Sequence, residues 1–362
     1  MRHFIIAATF LFTLTTTPML HGFVKAQDSV RNTQALLTTK VLEARKLETN
    51  SGCNQALLVE VLSGERSGEK LQFSTGTELS SDARCFSPGN KLLVSNITLP
   101  DGSEQFFVVD YIRSDGLLII SIVFILIALL VAKQWGARSL LGMVFSFAVI
   151  FLFLLPRLLS GMNALLAACL ASALIIPATF TLSHGFSRKT TVAMLSTIVT
   201  LILTGLLAHW SIELLHLTGF GSEEMMFLQF ISSESLDPRG LLLAGVLIAT
   251  LGVLDDITIS QASIVHELKS AKKSMPNSEL FTRAMRVGND HIASLINTLV
   301  LVYTGASLPL LLLFLDSSQT LTQLLSYELI AEEITRTLVG STGLILAVPI
   351  TTALAVFFEK KK

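Results

Sequence analysis

The chain has 362 residues, of which 51% are hydrophobic and only 15% charged, more apolar surface than a soluble core of this length can hide. A formal net charge of −1 removes both the basic excess expected of a nucleic-acid partner and the acidic run expected of a solvating tail. The lipid bilayer is therefore the expected second solvent.

In chain order, Met1-Arg2-His3 precedes the apolar run FIIAATFLFTLTTTPML, and the segment ends HGFVKAQ, with Val24 and Ala26 at the small-residue positions of a signal-peptidase site. Residues 1–26 read as a signal peptide cleaved after Ala26. An uncleaved anchor is the alternative, but Thr15 to Pro18 interrupt a run already short for a full span.

From 27 to 114 the character changes to short alternating runs such as ALLVEVL, KLQFST, KLLVSNI and QFFVVDYI, separated by turn-forming SGERSGEK, FSPGN and LPDGSE. Strands of this length with tight turns suggest a small all-β extracytoplasmic domain, a barrel or sandwich similar to an OB-fold. Cys53 and Cys85 lie in this segment and could form a disulfide in an oxidising compartment. Two unpaired thiols are the alternative, since spacing does not place two Cα atoms the required roughly 5.5 Å apart. Cys169, inside an apolar run, reads as a small packing residue.

From 115 to 362 the chain reads as a helical transmembrane domain. The apolar runs become long enough to cross a hydrocarbon layer of about 30 Å, which takes roughly 20 helical residues. About seven spans are expected, near Gly116–Ala132, Leu140–Leu155, Ala164–Leu182, Thr191–Trp210, Leu241–Ser260, Ile292–Leu315 and Leu338–Phe358. One set of loops carries Lys133, Arg138, Arg188, Lys189, Lys269, Lys272, Lys273, Arg283, Arg286 and Lys360 to Lys362, against Arg157, Arg239 and Arg336 on the other side. That asymmetry puts the first set and the C-terminus in the cytoplasm. The other loops are acidic, and an odd number of spans then leaves the β-rich segment outside, in agreement with a signal peptide.

Most spans are plain Leu, Ile, Val, Ala and Phe, but the fifth ends GVLDDITISQASIVHELK. A carboxylate at membrane depth costs roughly 2.5–3.5 kcal/mol on insertion scales, so the adjacent Asp255 and Asp256 demand a reason. Asp256, Ser260, Ser263 and Glu267 share one helical face, while Asp255 points about 100° away. The sixth span brings Asp290, Ser294, Asn297 and Thr298 to a similar depth, where their donors could satisfy the Asp pair if the two helices are neighbours. The alternatives are that the fifth span ends at Leu254, leaving both carboxylates among the headgroups, or that the polar cluster only aids packing. In the last span Glu332 and Arg336 are spaced for a helix-start ion pair, Gly340 and Gly343 permit close helix approach, and Pro349 predicts a kink or break.

Two catalytic motifs are excluded. His266-Glu267 would begin a zinc-protease HExxH, but Ser270 stands where the second histidine is needed. Neighbouring aspartates on one helix project apart and make no aspartic-protease dyad. With no phosphate loop and no nucleophile beside a base, no enzyme activity, metal or cofactor is expected.

The runs GVLDDITISQASIVHEL, VGNDHIASLINTLVLVYTGASLPLLLLF and EEITRTLVGSTGLILAVPITTALA resemble the YibE/F family of bacterial membrane proteins, over roughly Tyr111 to Phe358. The resemblance implies a multi-span protein of the bacterial plasma (inner) membrane with an extracytoplasmic N-terminal segment, and no established substrate or reaction. A Gly-rich helix ending in an Asp pair is also similar to the proton-relay helix of resistance-nodulation-division permeases and of Sec-associated motor subunits. The leading expectation is a permease or export-coupling protein binding protons or cations at Asp255 and Asp256. The alternative is a non-transporting sensor or assembly scaffold whose outer domain binds a partner and whose basic cytoplasmic loop engages anionic lipid or protein.

Overall fold

A computed structural model of the protein describes residues 35–47, 53–64, 66–75, 84–98, 103–231, 236–315 and 320–359. The expected signal peptide and Lys360 to Lys362 lie outside these residues. The chain divides into two compact units, with the boundary between Leu130 and Val131.

The first unit is a five-stranded antiparallel half-barrel built from β1 (Ala35–Lys46), β2 (Gln55–Val61), β3 (Lys70–Thr75), β4 (Lys91–Thr98) and β5 (Glu104–Tyr111), in the order β3-β2-β1-β4-β5. Strict alternation makes it: every second residue of β2, from Gln55 through Leu57 and Val59 to Val61, is buried. Leu57, Val59 and Val61 meet Val41, Leu71, Phe86, Leu92 and Val94 in one core. Register shifts at Val41/Glu43 and Leu93/Val94 mark bulges, which bend strands. The outer strands approach each other, with Phe73 and Phe106 ring centroids 6.1 Å apart and Arg66 paired to Glu104 at 3.0 Å. The segment before β4 is stapled to the start of β2 by a Cys53–Cys85 disulfide, Cα–Cα 5.5 Å. Beside it the Gln55 amide donates to the Phe86 carbonyl at 3.0 Å and accepts the Phe86 N–H at 2.6 Å.

The second unit is helical. Helix α1 (Ser114–Val149) begins in the first unit and loses helical geometry at Lys133, where φ is 49° and ψ −124°. It runs into a π-helical turn, Ile150–Leu154, and α2 (Leu155–Leu159). The wide turn precedes Pro156, which lacks an N–H and crowds the preceding turn. Then follow α3 (Ala164–His184), α4 (Arg188–Leu214), α5 (Glu223–Ile231), α6 (Pro238–Ala271), α7 (Asn277–Ala306), α8 (Leu308–Leu315), α9 (Leu321–Leu325) and α10 (Glu328–Glu359). Asn163 and Ser187 cap α3 and α4 by accepting the Leu166 and Thr190 N–H groups.

Among the described residues five helical runs are long and apolar enough to cross a membrane: Ser114–Leu159, Ala164–His184, Arg188–Leu214, Pro238–Ala271 and Glu328–Glu359. The count differs from the expected seven for two physical reasons. The first two expected spans share the 46-residue run Ser114–Leu159, interrupted only at Lys133. The sixth is divided between α7, whose first half is charged, and the short α8, with Ser307 between them.

Helices α4, α6 and α10 form the centre of this unit, with α3 against α6 and α7 against both α6 and α10. Small and hydroxyl-bearing residues let them approach. A Cβ added at Gly343 on α10 would meet Thr204 Oγ1 on α4 at 2.2 Å, and one at Gly340 would meet Thr250 Oγ1 on α6 at 3.5 Å. Thr197 and Thr258 join their hydroxyls across α4 and α6 at 2.9 Å. Of the kink or break expected at Pro349, the break does not occur: helix α10 runs on past it. Cys169 is exposed on α3 and is not the core residue its apolar neighbours suggest.

A hydroxyl-lined cleft at Asp255

The Asp pair divides as helical geometry requires. Asp256 is exposed and close enough to His184, at the end of α3, to interact with it electrostatically. Ser260, Ser263 and Glu267 continue its accessible face along α6. Asp255 turns about 100° away and is only partly accessible; its Oδ1 is buried and has no hydrogen-bond partner.

Asp255 lines a cleft of about 300 Å³ between the second half of α1, α3 and α6. Its polar lining consists of this carboxyl group and four hydroxyls, from Ser139 and Ser146 on α1 and Thr179 and Ser183 on α3. The walls are apolar, with Phe147, Ile150, Phe180 and Leu251 among them. Ser146 Oγ donates to the Gly142 carbonyl at 3.1 Å, and Thr179 Oγ1 donates to the carbonyls of Ile175 and Ile176 at 3.0 and 3.3 Å. Glycine leaves the space: a Cβ at Gly142 would meet Ser183 Oγ at 3.2 Å, whereas one at Gly252, also in the lining, would meet nothing within 4 Å.

The remaining expected partners of the Asp pair do not line this cleft. Asp290, Asn297 and Thr298 are exposed on α7, and the Thr298 hydroxyl donates to Ser294 within its own helix at 2.9 Å. The polar link between α6 and α7 is made by Gln261, whose Nε2 donates to the Ala284 carbonyl at 3.1 Å and to Thr352 Oγ1 of α10 at 2.7 Å. The sequence reading missed Gln261 and the four hydroxyls. Their traces were present as Ser139 and Ser146 seven residues apart and Thr179 and Ser183 four apart, each pair on one helical face of an otherwise apolar span.

Glu332 and Arg336 do not form the expected ion pair. Arg336 pairs with Glu333 at 3.3 Å, while the buried Glu332 accepts the Gly221 N–H at 3.1 Å. Glu328, one turn earlier, accepts from the Thr218 N–H and hydroxyl and from the Gly219 N–H. The loop after α4 thus gives these two carboxylates four donors, the Thr218 N–H and hydroxyl and the N–H groups of Gly219 and Gly221. The loop is shaped for this, since Gly219 takes φ +83° with its Cα against the Pro238 backbone. Among the described residues no group of three His, Cys, Asp or Glu is placed to hold a metal ion.

No curated protein and no solved structure matches the chain. A family profile described as YibE/F-like protein matches residues 120–361, from within α1 to the end of α10. The match takes in well over half of the sequence, including every helix that builds the cleft, and the chain belongs to the YibE/F-like protein family.

Proposed function

We propose that this protein is a permease or export-coupling protein of the bacterial plasma membrane, in which Asp255 binds a proton or cation at membrane depth. The observations that carry the reading are that Asp255 lines a hydroxyl-bearing cleft among apolar helices and that its carboxyl is part-buried, with Oδ1 lacking a hydrogen-bond partner. Asp255 lies 17 residues beyond Pro238, the first residue of α6, or about 25 Å along the axis at 1.5 Å per residue. A hydrocarbon layer of about 30 Å beginning near Pro238 would therefore still enclose it. An intramembrane carboxylate facing a cavity is by default a functional group.

Seven spans remain the topology we propose. The 46-residue first run is about 69 Å long at helical rise, twice the hydrocarbon thickness, and its interruption at Lys133 suits a turn at the cytoplasmic surface. The second half of α7 with α8 supplies the sixth. The N-terminal half-barrel then lies outside, and its strand order with β3 approaching β5 supports an OB-like module. Because the half-barrel has its own core, it could instead bind a protein partner while the helices serve only as a scaffold.

Proteoliposomes loaded with a pH-sensitive dye test the transport reading. A pH gradient or membrane potential should drive proton or cation movement through the wild type, Asp255→Asn should remove it, and Asp256→Asn should leave most of it. Equal movement with Asp255→Asn, or none above empty liposomes with the wild type, overturns the reading and favours the scaffold.

A further inference from the structure

The geometry points to a more specific occupant of the Asp255 cleft: a protonated organic amine with an apolar or aromatic body, held by its ammonium group at Asp255. This rests on the reading of Asp255 as a cation site and adds the chemical class of ligand.

Charge comes first. The single ionisable group in the lining is a carboxyl, and no lysine, arginine or histidine faces it there, so an anion would meet like charge and no counter-charge. Hydrogen-bond polarity narrows the choice. A hydroxyl has one proton to donate, and those of Ser146 and Thr179 are already given to backbone carbonyls of their own helices. Toward the cleft these two groups can only accept. With Asp255 they form an acceptor set suited to a ligand that brings N–H donors, such as an ammonium group.

Size and wall chemistry then separate an organic amine from a bare ion. A volume of about 300 Å³ is room for about ten waters at roughly 30 Å³ each, and it sits at the lower end of small-molecule sites. An alkali ion would use only a small part of it. The rest is bounded by Phe147, Phe180, Ile150 and Leu251, which favour an apolar body, and aromatic rings also attract a nearby cation. Amines of this type partition into membranes, and the cleft lies on helices that cross one.

The test uses the purified full-length protein in detergent, with phenethylamine as the probe in equilibrium binding measurements. Saturable binding is expected, weakened at least tenfold by Asp255→Asn and several-fold by Thr179→Val. The N-trimethyl analogue, which lacks N–H donors, should bind more weakly, and phenylacetate and phenethyl alcohol should not compete. Gly252→Leu provides a second variant in case Asp255→Asn fails to fold. It would add bulk at the cleft lining one turn from Asp255 while keeping the carboxyl group, from a position whose Cβ has open space, and should also abolish binding.

Binding unchanged by both variants overturns the inference, as does saturable sodium binding with no amine binding. If amine binding fails while Asp255-dependent proton movement persists in proteoliposomes, the inference falls and the coupling role stands. If Asp255-dependent amine binding occurs without ion movement, the ligand class stands and the transport reading falls.

Discussion

Gln261 Nε2 on α6 donates to Thr352 Oγ1 on α10 at 2.7 Å, and the same nitrogen donates to the Ala284 carbonyl on α7. One buried amide thus ties three helices at a point where Gly288 leaves no room for a larger residue: a Cβ there would meet Val348 Cγ1 at 2.5 Å. Gln261→Leu keeps the volume and removes both bonds. Each net hydrogen bond is worth about 0.5–1.5 kcal/mol, so thermal unfolding in detergent should shift down by several degrees. Gly288→Ala should be at least as costly, because the buried neighbours must move.

The contact between Gly343 and Thr204 makes a reciprocal prediction. Gly343→Ala alone should destabilise by about 1–3 kcal/mol, the usual range for overpacking. Thr204→Ala removes Oγ1 and Cγ2, the atoms at 2.2 and 3.1 Å, and leaves Cβ at 3.2 Å. The double variant should therefore recover much of the loss. A thermal-unfolding double-mutant cycle measures this coupling, and strict additivity would show that the helices are not in contact here.

The elements were more legible in the sequence than the partners of their side chains. Alternation in QALLVEV and the long apolar runs wrote strands and spans directly, because secondary structure follows hydrophobic period. Asp255 was visible because a carboxylate in an apolar helix is costly. Its neighbours were not, since which helix lies beside which is a tertiary choice. Asn297 and Thr298, at a similar depth, turned out exposed, while Ser146 and Thr179, ordinary in any apolar helix, reached the cleft. For Arg336, i,i+4 spacing offered Glu332, whereas its ion pair at 3.3 Å is with Glu333, and Glu332 accepts from the Gly221 N–H.

That loop should be sensitive at its anchors. Glu328→Ala removes the acceptor for the Thr218 and Gly219 N–H groups, whereas Glu328→Gln keeps a side-chain oxygen in place. Protease susceptibility of the loop after α4 should rise strongly in the alanine variant and slightly in the glutamine variant. Gly219→Ala should be worse than either, since it combines φ +83° with Pro238 backbone atoms 2.4 Å from the new Cβ.

In the half-barrel, reducing Cys53–Cys85 reopens a 32-residue separation, and losing a disulfide of this kind typically costs about 2–4 kcal/mol. Gln55 holds Phe86 beside it. Reductant should therefore lower the denaturation midpoint of this unit sharply, and Gln55→Ala with reductant should lower it further than either alone. Urea titration read by protection from proteolysis would show both shifts.

The half-barrel also carries an acid-sensitive ion pair. Arg113 hydrogen-bonds the Asp110 carboxylate, with help from the Tyr111 N–H and Arg84, and together they hold its pKa well below the usual aspartate value. A carboxylate with a depressed folded-state pKa adds stability above its unfolded value of about 3.9, and that stability is lost as pH falls through the folded value. Asp110→Asn should thus lower the stability of this unit at pH 7, and the gap from wild type should narrow as pH drops below about 4. Because Asp110 is well exposed, the difference should be modest and should shrink in high salt. Urea midpoints of the two proteins between pH 3 and pH 7 would decide it, since a gap that widens on acidification would mean that the Asp110 charge is not stabilising this fold.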